Sequence, residues 1–239
     1  MQAFGSGRTS NLGPVPIPDP VQVPLWIDIS AVVVAALGGS VVAVRAGFDL
    51  TGIFGLGILT GLGGGLIRDV LLNELPVAMR SPWYIVASIS AAATVSLLAK
   101  QVEKGLALLI VLDAGALGLY GVTGTNKALA NGLGVWPALL LGVIAGTGGG
   151  VLRDIMTQQK PAIFVKGGEL YATACLAGLV SYIAAWKLGA NGPEIAAAAA
   201  ALTFAIRMVS WRFQIHLPGA VDAPTRIKQR FSSTPSDED

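Results

Sequence analysis

Charge is what this chain has least of. Among its 239 residues only 13% are Asp, Glu, Lys or Arg, against about 25% in ordinary soluble domains. That leaves too little polar surface to clothe a water-soluble fold. A hydrophobic content of 53% and a mean hydropathy of +0.67 equally exclude a disordered chain. Cysteine is nearly absent: Cys175 stands alone in an apolar stretch, so it makes no internal disulfide and reads as a buried, inert thiol. The one histidine, His216, follows the last apolar segment. Without a second histidine or a cysteine pair, no zinc or transition-metal site is expected, and a Ser-His-Asp triad has no better-placed base. Neither glycine cluster continues into the Lys-Ser or Lys-Thr of a phosphate loop. No enzyme chemistry, metal, cofactor or nucleic-acid partner is expected from these residues.

Long apolar runs are what the chain has instead. A helix needs about 20 apolar residues to cross the hydrocarbon core. Seven stretches qualify: 25–44, 51–72, 83–99, 106–126, 135–157, 168–186 and 193–211. All five tryptophans (Trp26, Trp83, Trp136, Trp186, Trp211) fall near their ends, where indole rings favour the headgroup layer. The lipid bilayer is therefore the first expected partner. Residues 1–24 carry five prolines and lack a signal peptide's basic region; they read as an extended, disordered tail. Residues 212–239 begin basic and end acidic, a second tail on the cytoplasmic side. Lys and Arg collect inside. Ten basic residues on the C-terminal face against five on the other orient the C-terminus inward and the N-terminus outward.

The sequence also repeats itself. Gly61 to Asp69 (GLGGGLIRD) returns as Gly146 to Asp154 (GTGGGVLRD), 85 residues later. The same offset carries Asp28 onto Asp113, Gly39 onto Gly124, Gly47 onto Gly132, Gly57 onto Gly142 and Pro76 onto Pro161. Each copy holds three spans, an odd number, so the second copy enters the membrane upside down. The fold class expected is an all-α membrane protein of seven transmembrane helices. It comprises a first three-helix repeat (25–105), a second, inverted one (106–192) and a seventh helix without counterpart (193–211), an arrangement associated with transport.

The glycine triplets Gly63-Gly64-Gly65 and Gly148-Gly149-Gly150 fall near the middles of the second and fifth spans. Lacking Cβ, they favour a kink or local unwinding, which in a membrane needs protein or water to satisfy the freed backbone. Freed carbonyls are ligands for a partly dehydrated cation; the alternative is close helix packing on small residues. Arg68-Asp69 and Arg153-Asp154 follow each triplet. Adjacent helical residues point about 100° apart, so each arginine is expected to pair with a carboxylate from elsewhere, across the repeats if need be. Lining a charged path and latching the two halves together both fit. Asp28 and Asp113 are expected at helix starts, where they favour the dipole. Lys127 ends a polar run and either snorkels to the interface or responds to voltage at a pathway mouth.

The doubled Gly-Gly-Gly-x-x-Arg-Asp, the proline after each copy and Gly168-Glu-Leu-Tyr-Ala172 together resemble the prokaryotic branch of the trimeric intracellular cation (TRIC) channel family. These sequences are also grouped under a "glycine transporter" domain, present here twice. The resemblance covers roughly residues 25–215. It implies a homotrimer of seven-helix subunits, each with its own pore for monovalent cations, chiefly potassium, between inverted halves. It further implies bends at Gly63 to Gly65 and Gly148 to Gly150 and a gating role for Lys127. The lysine-containing lipid motif of animal members has no counterpart after Gly65. Two functions follow as expectations: a passive potassium-permeable channel of the cell membrane, or a secondary transporter of glycine or another small zwitterion.

Overall fold

Backbone N–H and C=O groups surrounded by lipid must satisfy one another, and the apolar runs do so as helices. A computed structural model describes residues 24–102, 105–165, 170–190 and 192–215. Nearly all of both expected tails, His216 and the Gly168-Glu169 part of the motif lie outside the described residues. The elements are α1 (Leu25–Arg45), α2 (Leu50–Leu71), α3 (Val77–Arg80), α4 (Pro82–Leu97), α5 (Ala99–Val102), α6 (Leu106–Ala130), α7 (Val135–Met156), α8 (Ala172–Lys187) and α9 (Pro193–Phe213), with a 3₁₀ turn at Ala162–Phe164. Among the described residues no strand occurs. Five helices, α1, α2, α6, α7 and α9, are long and apolar enough to cross a membrane. The expected spans at 83–99 and 168–186 become α4 and α8, apolar helices of 16 residues each. At 1.5 Å per residue these reach about 24 Å, short of the roughly 30 Å hydrocarbon thickness.

Local signals set the boundaries. The Asp49 carboxylate accepts from the Gly52 N–H at 2.8 Å and caps α2. Pro82 and Pro193 open α4 and α9, where a missing N–H costs nothing. Gly47 and Gly132 turn the chain after α1 and α6 at φ +74° and +77°, a region open chiefly to glycine. Those two lie 85 residues apart. So do α2 and α7 at both ends, and so do the positive-φ residues Asn73 and Gln158.

α2 packs against α1, α4 and α7; α7 packs against α6, α2 and α8, and α9 lies along α6 and α8. The core follows: Ile27, Leu117, Val122, Leu179 and Tyr182 are buried between α1, α6 and α8, and Cys175 is buried with them as expected. Trp26, Trp83 and Trp136 stand exposed at first turns of α1, α4 and α7, as an interfacial belt requires. Trp186 departs from that pattern. It is buried within the core cluster rather than displayed.

The glycine triplets depart from expectation too. Both α2 and α7 run as continuous α-helix through them, so the expected unwinding is absent. The triplets instead mark where the two helices meet. A methyl group built on Gly149 would stand 2.5 Å from the Thr60 carbonyl oxygen, and one on Gly64 would collide with the carbonyl of Ala145. A methyl on Gly63 would lie 3.5 Å from the Gly149 Cα, and one on Gly148 would lie 3.7 Å from the Gly64 Cα. Keeping the helical ladder intact satisfies every backbone group, and the missing side chains let two backbones touch, the packing mode small residues serve in bilayers.

Gly64→Val should therefore destabilise the purified protein by at least about 1–3 kcal/mol, the usual cost of overpacking, read as a lower melting temperature on size exclusion after heating. Gly55→Ala is the control: Gly55 lies on the same helix, exposed, with nothing within 4 Å of an added methyl, and should melt with the parent.

Candidate functional site

Buried charge in an apolar helix bundle survives only when paired, and both repeats solve this the same way. Arg68 lies near the C-terminus of α2 with its side chain 2% exposed. Its Nε donates to Asp69 Oδ1 at 2.7 Å and its Nη1 to Asp28 Oδ1 at 3.0 Å. The Tyr84 hydroxyl, from α4, donates to the second Asp28 oxygen at 2.8 Å. The Val77 N–H donates to Asp69 Oδ2 at 2.8 Å. In the second half, Arg153 Nε donates to Asp154 Oδ1 at 2.9 Å and Nη1 to Asp113 Oδ1 at 2.9 Å. The Ala162 N–H donates to Asp154 Oδ2 at 3.1 Å, and Tyr171 lines the same cavity as Asp113. Arg68, Asp69, Asp28 and Val77 thus map onto Arg153, Asp154, Asp113 and Ala162 at one offset.

Two expectations change here. Each arginine does pair with a carboxylate from another helix, but from the first helix of its own half rather than across the repeats. It also bonds the adjacent aspartate, because the guanidinium fork on a long stem spans what the 100° offset separates. Asp28 sits in the first turn of α1, whereas Asp113 lies seven residues into α6. Both serve chiefly as acceptors for arginine, since α6 begins earlier than its counterpart and leaves Asp113 remote from the helix terminus.

The halves differ in one cation. Lys127 of α6 does not simply snorkel: its Nζ lies 2.7 Å from Asp69 Oδ1 and 2.9 Å from Glu74 Oε2. At the matching position of the first repeat stands Val42. Hydrogen bonding from the Lys127 ammonium holds the Glu74 carboxyl below its ordinary 4.5. The second half instead carries Arg207 of α9, whose guanidinium lies 4.8 Å from the centre of the Tyr171 ring.

Two cavities open onto these clusters. One, spanning about 220 Å³ of atom-free space, is lined by Asp28, Arg68, Asp69, Gly65, Tyr84 and Tyr120 among others. The other, spanning about 320 Å³, is lined by Thr60, Asp113, Tyr120, Gly149, Gly150, Arg153 and Tyr171 among others. In each, only about 10 Å³ is open to the centre of a water, room for about one molecule. Gly64 and Gly148 sit at the helix crossing, and Gly65 and Gly150 face the cavities. Sequence reasoning missed Glu74, Tyr84, Tyr120, Tyr171 and Arg207. The signal for Arg207 was present, a charge inside an apolar run; the tyrosines carry none, since a phenol in a helix reads as core.

An all-helical, multi-pass membrane protein with transport-type internal repetition is the class these features define. A sequence profile described as "Glycine transporter" matches residues 25–100 and 110–187. The "UPF0126 membrane protein" of Deinococcus radiodurans is 32% identical over 81% of this chain and 90% of its own length. The "UPF0126 inner membrane protein YadS" of Escherichia coli K12 is 33% identical over 81% and 94% respectively. Among solved structures, the TRIC trimeric intracellular cation channel orthologue from Rhodobacter sphaeroides superposes with a TM-score of 0.75 at 31% identity, covering 80% of this chain and 98% of that one. A prokaryotic TRIC channel in 0.5 M KCl gives 0.73 at 26% identity, over 80% and 97%. The chain belongs to the Glycine transporter (UPF0126) family and is a relative of the prokaryotic TRIC channels.

Arg68→Met leaves Asp28 with the Tyr84 hydroxyl alone and Asp69 with Lys127 and the Val77 N–H, and breaking a buried pair costs about 3–5 kcal/mol. A double variant with Asp28→Asn should recover part of that loss, the coupling being read in a double-mutant cycle of thermal melts. The Glu74 pairing stabilises the fold above the ordinary carboxyl value and is lost as pH falls through the lower folded one. The melting difference between the parent and Glu74→Gln should therefore be present at neutral pH and shrink on acidification below 4.5.

Proposed function

We propose that this protein is a passive monovalent-cation channel, permeable to potassium, with a path inside each subunit between two inverted three-helix repeats. The observation that carries the reading is the pair of small cavities on successive levels of α1, each lined by aspartate beside its paired arginine. Asp28 and Val32 line one; Val34, Ala35 and Gly38 line the other. At 1.5 Å per residue their centres are separated by about 9 Å along that helix. Carboxylates at both levels offer cations a favourable field in a low-dielectric setting, while the paired arginines keep either level from trapping the ion. The reading divides the chain into repeats at 25–105 and 106–192 and a seventh helix at 193–211. It also takes α4 and α8 as spans that thin the bilayer around their 16 residues. From the likeness to TRIC channels come the homotrimer, a potassium pathway in every subunit and gating through Lys127. From the distribution of basic residues come placement in the cell membrane and an inward C-terminus.

In this reading Arg68, Asp69, Arg153 and Asp154 serve both as lining and as latch. Arg68, Asp69 and Arg153 line the cavities, and the two arginines tie α2 to α1 and α7 to α6. Lys127 gates by releasing or holding Asp69 and Glu74 at the end of α2. A secondary transporter of glycine is the second reading, favoured by the Asp113–Arg153 pair in the larger cavity, which offers an acid and a base at zwitterion spacing. It is the weaker one, because Asp113 and Arg153 are in direct contact at 2.9 Å, Arg153 already bonds two carboxylates and a substrate carboxylate would have to displace one.

One preparation decides between them. Purified protein in liposomes should release potassium down its gradient without saturable accumulation of labelled glycine. Lys127→Ala should change the potassium rate while leaving the melting temperature within a few degrees. Saturable glycine uptake together with silent potassium traces would reverse the order of the two readings.

A further inference from the structure

Tyr120 belongs to the lining of both cavities and, among the described residues, is the only one the two linings share. It is 3% exposed and projects from α6 against α2. Its ring lies over the triplet: methyls built on Gly64 and Gly65 would begin 3.6 Å from its Cγ and 3.7 Å from its Cε1. Its hydroxyl donates to the carbonyl of Gly61, an oxygen already engaged in the α2 ladder that accepts again on its second lone pair. The phenol is thus anchored at its tip to a helix that cannot easily give way.

The repeat shows that this plug is not demanded by packing alone. The residue 85 positions before Tyr120 is Ala35, which lines the larger cavity. On the second half's counterpart of Gly65, the nearest neighbours of an added methyl at Gly150 are the Tyr171 hydroxyl at 3.2 Å and Asp113 Oδ1 at 3.6 Å, polar groups rather than a ring face. One half therefore sets a ring face against its triplet where the other sets polar groups.

We propose that Tyr120 is the partition of the conduction path. The smaller cavity with Asp28 and Arg68 is one vestibule, the larger with Asp113 and Arg153 is the other, and the Tyr120 ring separates them until its hydroxyl leaves Gly61. This rests on the channel reading above and adds the place where that channel is closed. The closed state is held by one hydrogen bond and by the ring's seat on Gly64 and Gly65. Opening needs one side chain to rotate off Gly64 and Gly65, with no break in α2 or α7.

The test uses full-length protein in potassium-loaded liposomes, with elution profile as the folding control. Tyr120→Phe keeps the ring and removes the latch; it should raise potassium flux about threefold to tenfold, the shift that loss of one hydrogen bond gives a two-state equilibrium. Tyr120→Ala should raise it further, and Ala35→Phe should lower it. Independently of flux, Tyr120→Cys in a Cys175→Ser background should react with a membrane-impermeant methanethiosulfonate added to either face. Native protein that conducts, with Tyr120→Phe and Tyr120→Ala indistinguishable from it, overturns the partition and leaves the channel standing. Absence of potassium flux from native and variants alike defeats the channel instead. In that case labelling still decides the partition: reaction from both faces supports it, and reaction from one face or neither refutes it.

Discussion

A guanidinium inside an apolar helix bundle has to be neutralised where it stands, and two of them dictate most of this structure. Arg68 and Arg153 each hold one carboxylate from the next residue and one from the first helix of their half. The pairing fixes how far α2 slides along α1 and α7 along α6. It also draws the following chain inward, because Val77 and Ala162 spend their backbone N–H groups on Asp69 and Asp154. Prolines at 76 and 161 sit just before those donors and end the preceding run, so each turn returns to the carboxylate it must reach. Buried ion pairs are weak evidence for stability. Their better-attested use, setting register, matches what these two do.

With register set, the glycine triplets bring the halves together. Each backbone presses on the other where no side chain intervenes, and the cavities lie beside that contact rather than within a broken helix. The two halves are alike in this frame and differ in what decorates it. Lys127 faces Asp69 where the first repeat offers Val42, Tyr120 stands where it offers Ala35, and α9 adds Arg207 beside Tyr171. A repeated scaffold with unequal fittings gives the two triplets different surroundings, the Tyr120 ring against one and the Tyr171 hydroxyl with Asp113 against the other.

Much of this frame was legible from composition and spacing. Long apolar runs located the helices, and the 85-residue offset anticipated that Asp28 and Asp113 would do the same work. The triplets were legible as special but not as to how. Missing Cβ atoms permit either unwinding or contact, and only the neighbour, the Ala145 or Thr60 carbonyl, decides. The partner of each arginine was half legible, since helical geometry bounds the angle between adjacent residues but not the reach of a guanidinium. Asp113 was displaced from its expected terminus by extra residues at the start of α6, which apolar composition cannot time. Tyr84, Tyr120 and Tyr171 were illegible because a phenol's function lies in the group its hydroxyl meets, and that group is distant in sequence.

The proposed pathway passes cations and refuses anions. Its most direct measurement is the reversal potential of the purified protein in a planar bilayer under a tenfold potassium chloride gradient. A cation path drives the reversal close to the potassium limit, about 59 mV for a monovalent ion at that ratio. A reversal near zero, or one of the sign that chloride dictates, contradicts the account.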